Sequence, residues 1–245
     1  ALLTCNLSLF TSCDDYLDVV PTEDITTIES TFETRDAAHQ WKETCYVFLT
    51  KYSAEEVNDP AFFGADEYCT GDHARNKYSS YTQAFLIGDG LQGTQSPLLS
   101  VWHKNRYFAA LRYCNIFIDN IMNVYNMTEE EKMLWRCEVE ALKAYYYFDL
   151  MRRYGPIPLV NDNISANASA DDMQQSRRPI TEVVDTIVSI CDRAIANLPL
   201  RRDMTTDQYY YFSRESAATV KAMTLLYAAS PLFNGSSAFE KFTNR

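Results

Sequence analysis

The stretch from Thr128 to Val160 constrains this chain more than any other. Trp135, Val139, Leu142, Tyr146 and Leu150 stand four, three, four and four residues apart, which places them in one stripe on a helix. Thr128 with Glu131 three residues later reads as a capping box at its start. Gly155-Pro156 stops it. Ile157 to Val160 is too short for a helix and reads as extended chain.

Other segments repeat the pattern. A first helix opens at Thr34 as N-cap and runs to about Tyr52, with a stripe of Trp41, Cys45, Phe48 and Tyr52. A second runs from about Leu99 to Tyr125, on the stripe Tyr107, Leu111, Cys114, Ile118, Ile121 and Tyr125. A fourth starts at Thr181, carries Val184, Ile187, Cys191, Ala194 and Leu198, and ends at Pro199. A fifth is capped by Ser213 and reaches Ser230, and its alanines at 217, 218, 222, 228 and 229 allow close helix packing. These spacings predict an all-α chain of helices paired by turns.

Between the first two helices lies a long insertion, about Ser53 to Ser100. It holds Gly64, Gly71, Gly88, Gly90 and Gly93, five of the seven glycines, and reads as irregular structure. Loops of that length inside a compact domain are functional or disordered. Asn161 to Gln175 is a second, polar loop.

Composition removes several functions. A net charge of −11 disfavours nucleic acid and anionic lipid, both of which need a basic surface. Solubility is the simpler reading of that acidity. No C-x-x-C pair occurs, so a zinc ribbon or thioredoxin-like site is not indicated. Cys114, Cys137 and Cys191 fall in helical patterns and read as buried free thiols. At the N-terminus, Leu2, Leu3, Leu7, Leu9 and Phe10 form an apolar run too short to span a bilayer. It reads as the tail of a signal peptide, with a buried strand as the alternative. Phe10-Thr11-Ser12-Cys13 then forms a loose lipobox.

No catalytic or metal motif stands out. The three histidines, His39, His73 and His103, form no ligand pair. No Walker loop, G-x-S-x-G or G-x-G-x-x-G is present, so no cofactor is indicated. Glu55-Glu56, Asp66-Glu67 and Asp171-Asp172 read first as solvated surface pairs. Asp149, with Arg152 and Arg153 three and four residues on, reads first as a helix-surface ion pair. Tyr145, Tyr146 and Tyr147 cover most of a helix circumference, so at least one hydroxyl must reach a neighbouring element.

The segment from Asp66 to Gln83 has the composition of a sugar site. Asp66, Tyr68, Asp72, His73, Arg75, Tyr78 and Tyr81 interleave aromatic rings with hydrogen-bonding groups. Rings stack on the apolar face of a pyranose, and fixed polar groups read its hydroxyls. An ordinary polar surface loop is the alternative.

Four segments together resemble the SusD/RagB family: SCDDYLDVVP at Ser12 to Pro21, EALKAYYYFDLMRRYGPIPLV at Glu140 to Val160, RRPITEVVDTIVSICDRAIANLP at Arg177 to Pro199, and AATVKAMTLLYAASPLFNG at Ala217 to Gly235. The resemblance implies a TPR-like stack of helical hairpins with a long irregular loop insertion, although no 34-residue repeat is visible. It implies an outer-membrane, cell-surface lipoprotein of the Bacteroidota type, anchored through a lipidated Cys13. Asp14 and Asp15 are similar to a surface-export signal. It implies a protein that binds oligosaccharide, or in some members another nutrient. The partner would be a SusC-like TonB-dependent transporter, and no catalysis is implied. Residues 1–13 then correspond to a truncated lipoprotein signal segment, and 14–245 to an N-terminal helical domain whose C-terminal half is absent. Trp102 and Tyr107 resemble the W-x-x-x-x-Y opening of the family's second helix, and both read as core. A helical-repeat adaptor for peptide or protein, with Lys143 and Arg152 on a concave face, is the alternative. A glycoside hydrolase with facing carboxylates is a further one.

Overall fold

The computed structural model describes residues 28–50, 71, 83–95, 97–98, 101–102, 106–164 and 168–234. Among them no strand occurs. The helices are α1 (Ile28–Thr31), α2 (Arg35–Tyr46), α3 (Gln83–Gly88), α4 (Tyr107–Asn120), α5 (Glu129–Tyr154), α6 (Ala170–Met173), α7 (Ile180–Asn197) and α8 (Arg214–Ala229).

The hub is α5, 26 residues long. It packs on α2, α4, α7 and α8. From Trp135 to Met151 nearly every side chain is buried, on all sides of the helix. The stripe expected from spacing is therefore part of a wholly enclosed helix. Around it, α4 and α5 form one hairpin, α7 and α8 another, and α2 lies across the first. This is the stack of helical hairpins expected from the sequence.

Local signals set the helix starts. The hydroxyls of Thr34, Thr128 and Ser213 accept from the N–H groups of Ala37, Glu131 and Ser216. The box at Thr128 is half formed, because the Glu131 carboxylate is engaged by Arg35 at 2.8 Å. Gly155 closes α5 at φ 70°, a conformation that favours glycine. Beyond it, Ile157 is buried and its carbonyl accepts from the Arg178 N–H at 2.9 Å.

Several expectations are corrected. The helix at Thr34 ends at Tyr46, where the N–H groups of Val47 and Leu49 switch to partners three residues back and tighten the chain out of the helix. Tyr52 lies outside the described residues. The second helix starts at Tyr107, not near Leu99. Non-helical Val101 is buried, and its N–H donates to the Tyr154 hydroxyl at 3.1 Å. Its far end tightens into a 3₁₀ turn at Ile121–Asn123, which turns Val124 inward and leaves Tyr125 76% exposed. On α7 Val183 joins Ile187, Cys191 and Ala194 in the fully buried set, while the expected Val184 is half-buried. Of the α8 alanines only Ala217 is buried. Ala218, Ala222 and Ala229 face outward, so Val220 and Thr224 make the inner surface instead.

Cys114, Cys137 and Cys191 are buried free thiols as expected, and Cys45 is a fourth. Burial pushes Cys191 up to about 12. Asp149 is fully buried, not on the surface, and is bound by Arg152 and by Arg153 at 3.2 Å. Of the three consecutive tyrosines, Tyr146 donates to the Cys45 carbonyl (2.6 Å) and Tyr147 to that of Val160 (2.7 Å).

A second ionic group lies inside the stack. Lys42 of α2, 2% exposed, meets Glu138 of α5 at 3.1 Å. Tyr46 donates to the other oxygen of Glu138 at 2.7 Å and accepts the Phe212 N–H at 3.2 Å. The ammonium lies over the rings of Tyr211 (3.6 Å) and Trp135 (4.8 Å). Burial raises the Glu138 pKa, and the Lys42 charge opposes that rise. The group ties the α7–α8 connection to the first hairpin.

Candidate glycan-binding cleft

Trp102 precedes α4 and is fixed from several directions. Phe108 and Tyr154 meet its ring nearly edge-on, each with centroids 5.0 Å apart. The Arg177 guanidinium lies 4.6 Å from its ring centroid. Arg177 is itself held by the carbonyls of Tyr154 (3.2 Å) and Pro156 (3.1 Å), so the indole cannot turn freely. Burial lowers the Arg177 pKa.

The indole is half-buried, and its free part lines a cleft of about 690 Å³. Phe108 and Val160 extend the apolar wall. Arg112, Asp162, Asn163 and Gln174 supply polar groups to the same cleft. Asn163 is positioned by donating to Asp119 at 2.6 Å. Val160 is positioned from beneath, where Tyr147 and Asn115 both donate to its carbonyl, at 2.7 and 3.1 Å. A rigid ring beside hydrogen-bonding groups of both senses can stack a sugar and read its hydroxyls at low entropic cost.

A second cleft, of about 540 Å³, lies between α5 and α7 on the other side of the same segment. Asn161 lines it, whereas Val160 and Asp162 line the first. That division follows from the alternation of an extended chain.

The structure corrects one sequence reading and leaves others untouched. Tyr107 is core, fully buried, as expected. Trp102 is not simply core, since it walls the first cleft. Its place five residues before Tyr107 breaks the four-three spacing of α4, a signal that could have set it apart. Phe108, Arg112, Asp162, Asn163 and Gln174 were not anticipated as site residues. Asp66, Tyr68, Asp72, His73, Arg75, Tyr78 and Tyr81 lie outside the described residues, as does Cys13. Of the two residues expected on a concave adaptor face, Arg152 is bound to buried Asp149 and Lys143 lines the second cleft. Among the described residues no group of acidic, His and Cys side chains is arranged to hold a metal. No described helix is long and apolar enough to cross a membrane.

Burial lowers the Lys143 pKa from its ordinary value of 10.5, so its charged form is disfavoured in the fold. Between the lowered value and 10.5 the unfolded chain binds more protons, so this group adds stability as pH rises. Lys143→Met is therefore expected to raise the melting temperature at pH 7. Its advantage over the unaltered protein should narrow as pH approaches 10. Calorimetric melting across that range checks this, and a gap independent of pH would contradict it.

Comparison with known proteins agrees with this architecture. Residues 15–225 match the family model SusD-like_3, described as starch-binding associating with outer membrane. SusD-like protein P38 of Formosa agariphila is 26% identical over 227 residues, which are 92% of this chain and 41% of P38. The solved structure of BT4246 aligns with a TM-score of 0.68 at 27% identity, over 83% of this chain and 32% of that one. A laminarin-binding SusD-like protein shares the fold at a TM-score of 0.64 and 18% identity, over 80% of this chain and 41% of its own. The chain thus spans about two fifths of P38 and a third of BT4246. With the family model covering most of its length, the chain belongs to the SusD-like family.

Proposed function

We propose that the chain is the glycan-binding part of a cell-surface lipoprotein, which captures oligosaccharide and delivers it to a TonB-dependent transporter without cleaving it. The observation that carries this reading is the immobilised indole of Trp102 in a cleft that polar side chains also line. Support comes from the family description as starch-binding and from structural neighbours named as laminarin-binding and surface glycan-binding proteins. The Asp66 to Gln83 segment stays in the proposal as a further ligand-contacting region.

Affinity electrophoresis against neutral polysaccharides, with product analysis on the same samples, tests the reading. Retardation by one glycan with intact product agrees with it. Shortened oligosaccharides would replace it with a hydrolase. The anchor at Cys13 and the residue 1–13 signal segment are proposed from the lipobox. Cys13→Ala is expected to move the protein from the membrane fraction to the soluble one, and unchanged membrane recovery would remove the anchor from the account.

A further inference from the structure

Lys143 lies midway along α5, in the most crowded part of the fold, and is 7% exposed. Its Nζ has neither a hydrogen bond nor an ion pair among the described residues. What it meets is the Tyr147 ring, 5.7 Å from the centroid. An ammonium has three donors, and burying them without acceptors is expensive. The other buried lysines among the described residues are matched. Lys42 has Glu138 at 3.1 Å, and Lys132 has Glu129 at 2.8 Å and the Met122 carbonyl at 3.2 Å.

Lys143 lines the second cleft, between α5 and α7. The one sealed side-chain polar atom without a partner among the described residues is Asn115 Oδ1, so the Lys143 amine keeps an opening to that cleft. Of the carboxylates near it, Asp119 accepts from Asn163 (2.6 Å), and Asp162 and Asp185 stand beyond ion-pair distance of the ammonium. Glu140 accepts from Arg136 (3.3 Å) and Arg193 (3.4 Å), and Glu182 from Arg178 (2.9 Å). The same wall carries the hydroxyls of Thr186 and Ser189 and the exposed Asp185. One unmatched cation in a cleft rimmed by hydroxyls and an acceptor fits a ligand with one negative group among many hydroxyls. A hexuronate ring carries one carboxylate, whereas a ring can carry several sulfates. Clustered sulfates would meet Glu140, Glu182 and Asp185 at close range.

We propose that this cleft binds a hexuronic acid residue of an acidic oligosaccharide, with its carboxylate on Lys143 and its hydroxyls on Thr186, Ser189 and Asp185. The inference rests on the glycan-binding reading and adds the ligand class to it.

The test is titration calorimetry on the full-length protein with trimers of galacturonate, mannuronate and guluronate, beside the neutral oligosaccharide found by electrophoresis. At least one uronate trimer is expected to bind, and Lys143→Met to weaken it about tenfold or more, since a charged hydrogen bond is lost. Binding of the neutral oligosaccharide should be unchanged in that variant. The methionine keeps the volume of the stem, so melting of the variant reports whether it folds. Uronate binding that is absent, or equal in Lys143→Met, would overturn the inference while neutral binding left the glycan reading standing. Lys143-dependent binding of sulfated oligosaccharides in place of uronates would overturn it too. Failure of every saccharide, neutral and acidic, would overturn both.

Discussion

Lys42→Met is expected to destabilise the protein by about 3–5 kcal/mol at pH 7, the cost of leaving a buried charge uncompensated. Lys42 and Glu138 are 2% and 5% exposed, and nothing else brings a cation to that carboxylate at 3.1 Å among the described residues. Burial already raises the Glu138 pKa against the pull of Lys42. Without the ammonium the rise must grow, and Glu138 takes a proton more readily. The penalty should therefore shrink as pH falls, because a neutral carboxyl has no charge to desolvate. Urea unfolding at pH 7 and pH 5 measures both effects. The double variant Lys42→Met, Glu138→Leu should recover most of the loss, as apolar replacements of buried pairs do. A single-variant loss below about 1 kcal/mol would mean that the pair is screened like a surface ion pair.

Trp102→Ala is the second large effect, on binding. A central aromatic held in a pocket carries about 2 kcal/mol or more, so affinity for the neutral oligosaccharide should fall about 30-fold. The indole also packs on Phe108, Tyr154 and Arg177, so the variant will lose some stability. Arg112→Ala separates the two effects. Arg112 is exposed and lines the cleft, and its removal should weaken binding while leaving the melting temperature in place. Calorimetric titration and melting on both variants give the comparison. Equal affinity in both would place the glycan elsewhere.

Features that depend on a few adjacent residues were legible in the sequence. Thr34, Thr128 and Ser213 cap their helices because a hydroxyl and an N–H three residues on suffice. Gly155 ends α5 for an equally local reason. Features set by neighbours were not legible. Tyr125 continues the α4 spacing, yet the 3₁₀ turn at Ile121–Asn123 rotates it into solvent. The i+3 and i+4 arginines of Asp149 were visible, but its burial follows from tertiary packing that spacing does not encode. The alanines of α8 suggested a close seam, and most of them face out. The candidate cleft joins Trp102, α4 and the segment after α5, elements some 60 residues apart, so no local pattern could assemble it.

The most direct test of the central claim is one titration: the neutral oligosaccharide selected by electrophoresis, added to the full-length protein and to Trp102→Ala, with the sugar recovered and sized afterwards. Saturable binding, lost about 30-fold in the variant, with the oligosaccharide recovered at full length, is the predicted result. Binding unaffected by the variant, or recovery of shorter sugars, would contradict it.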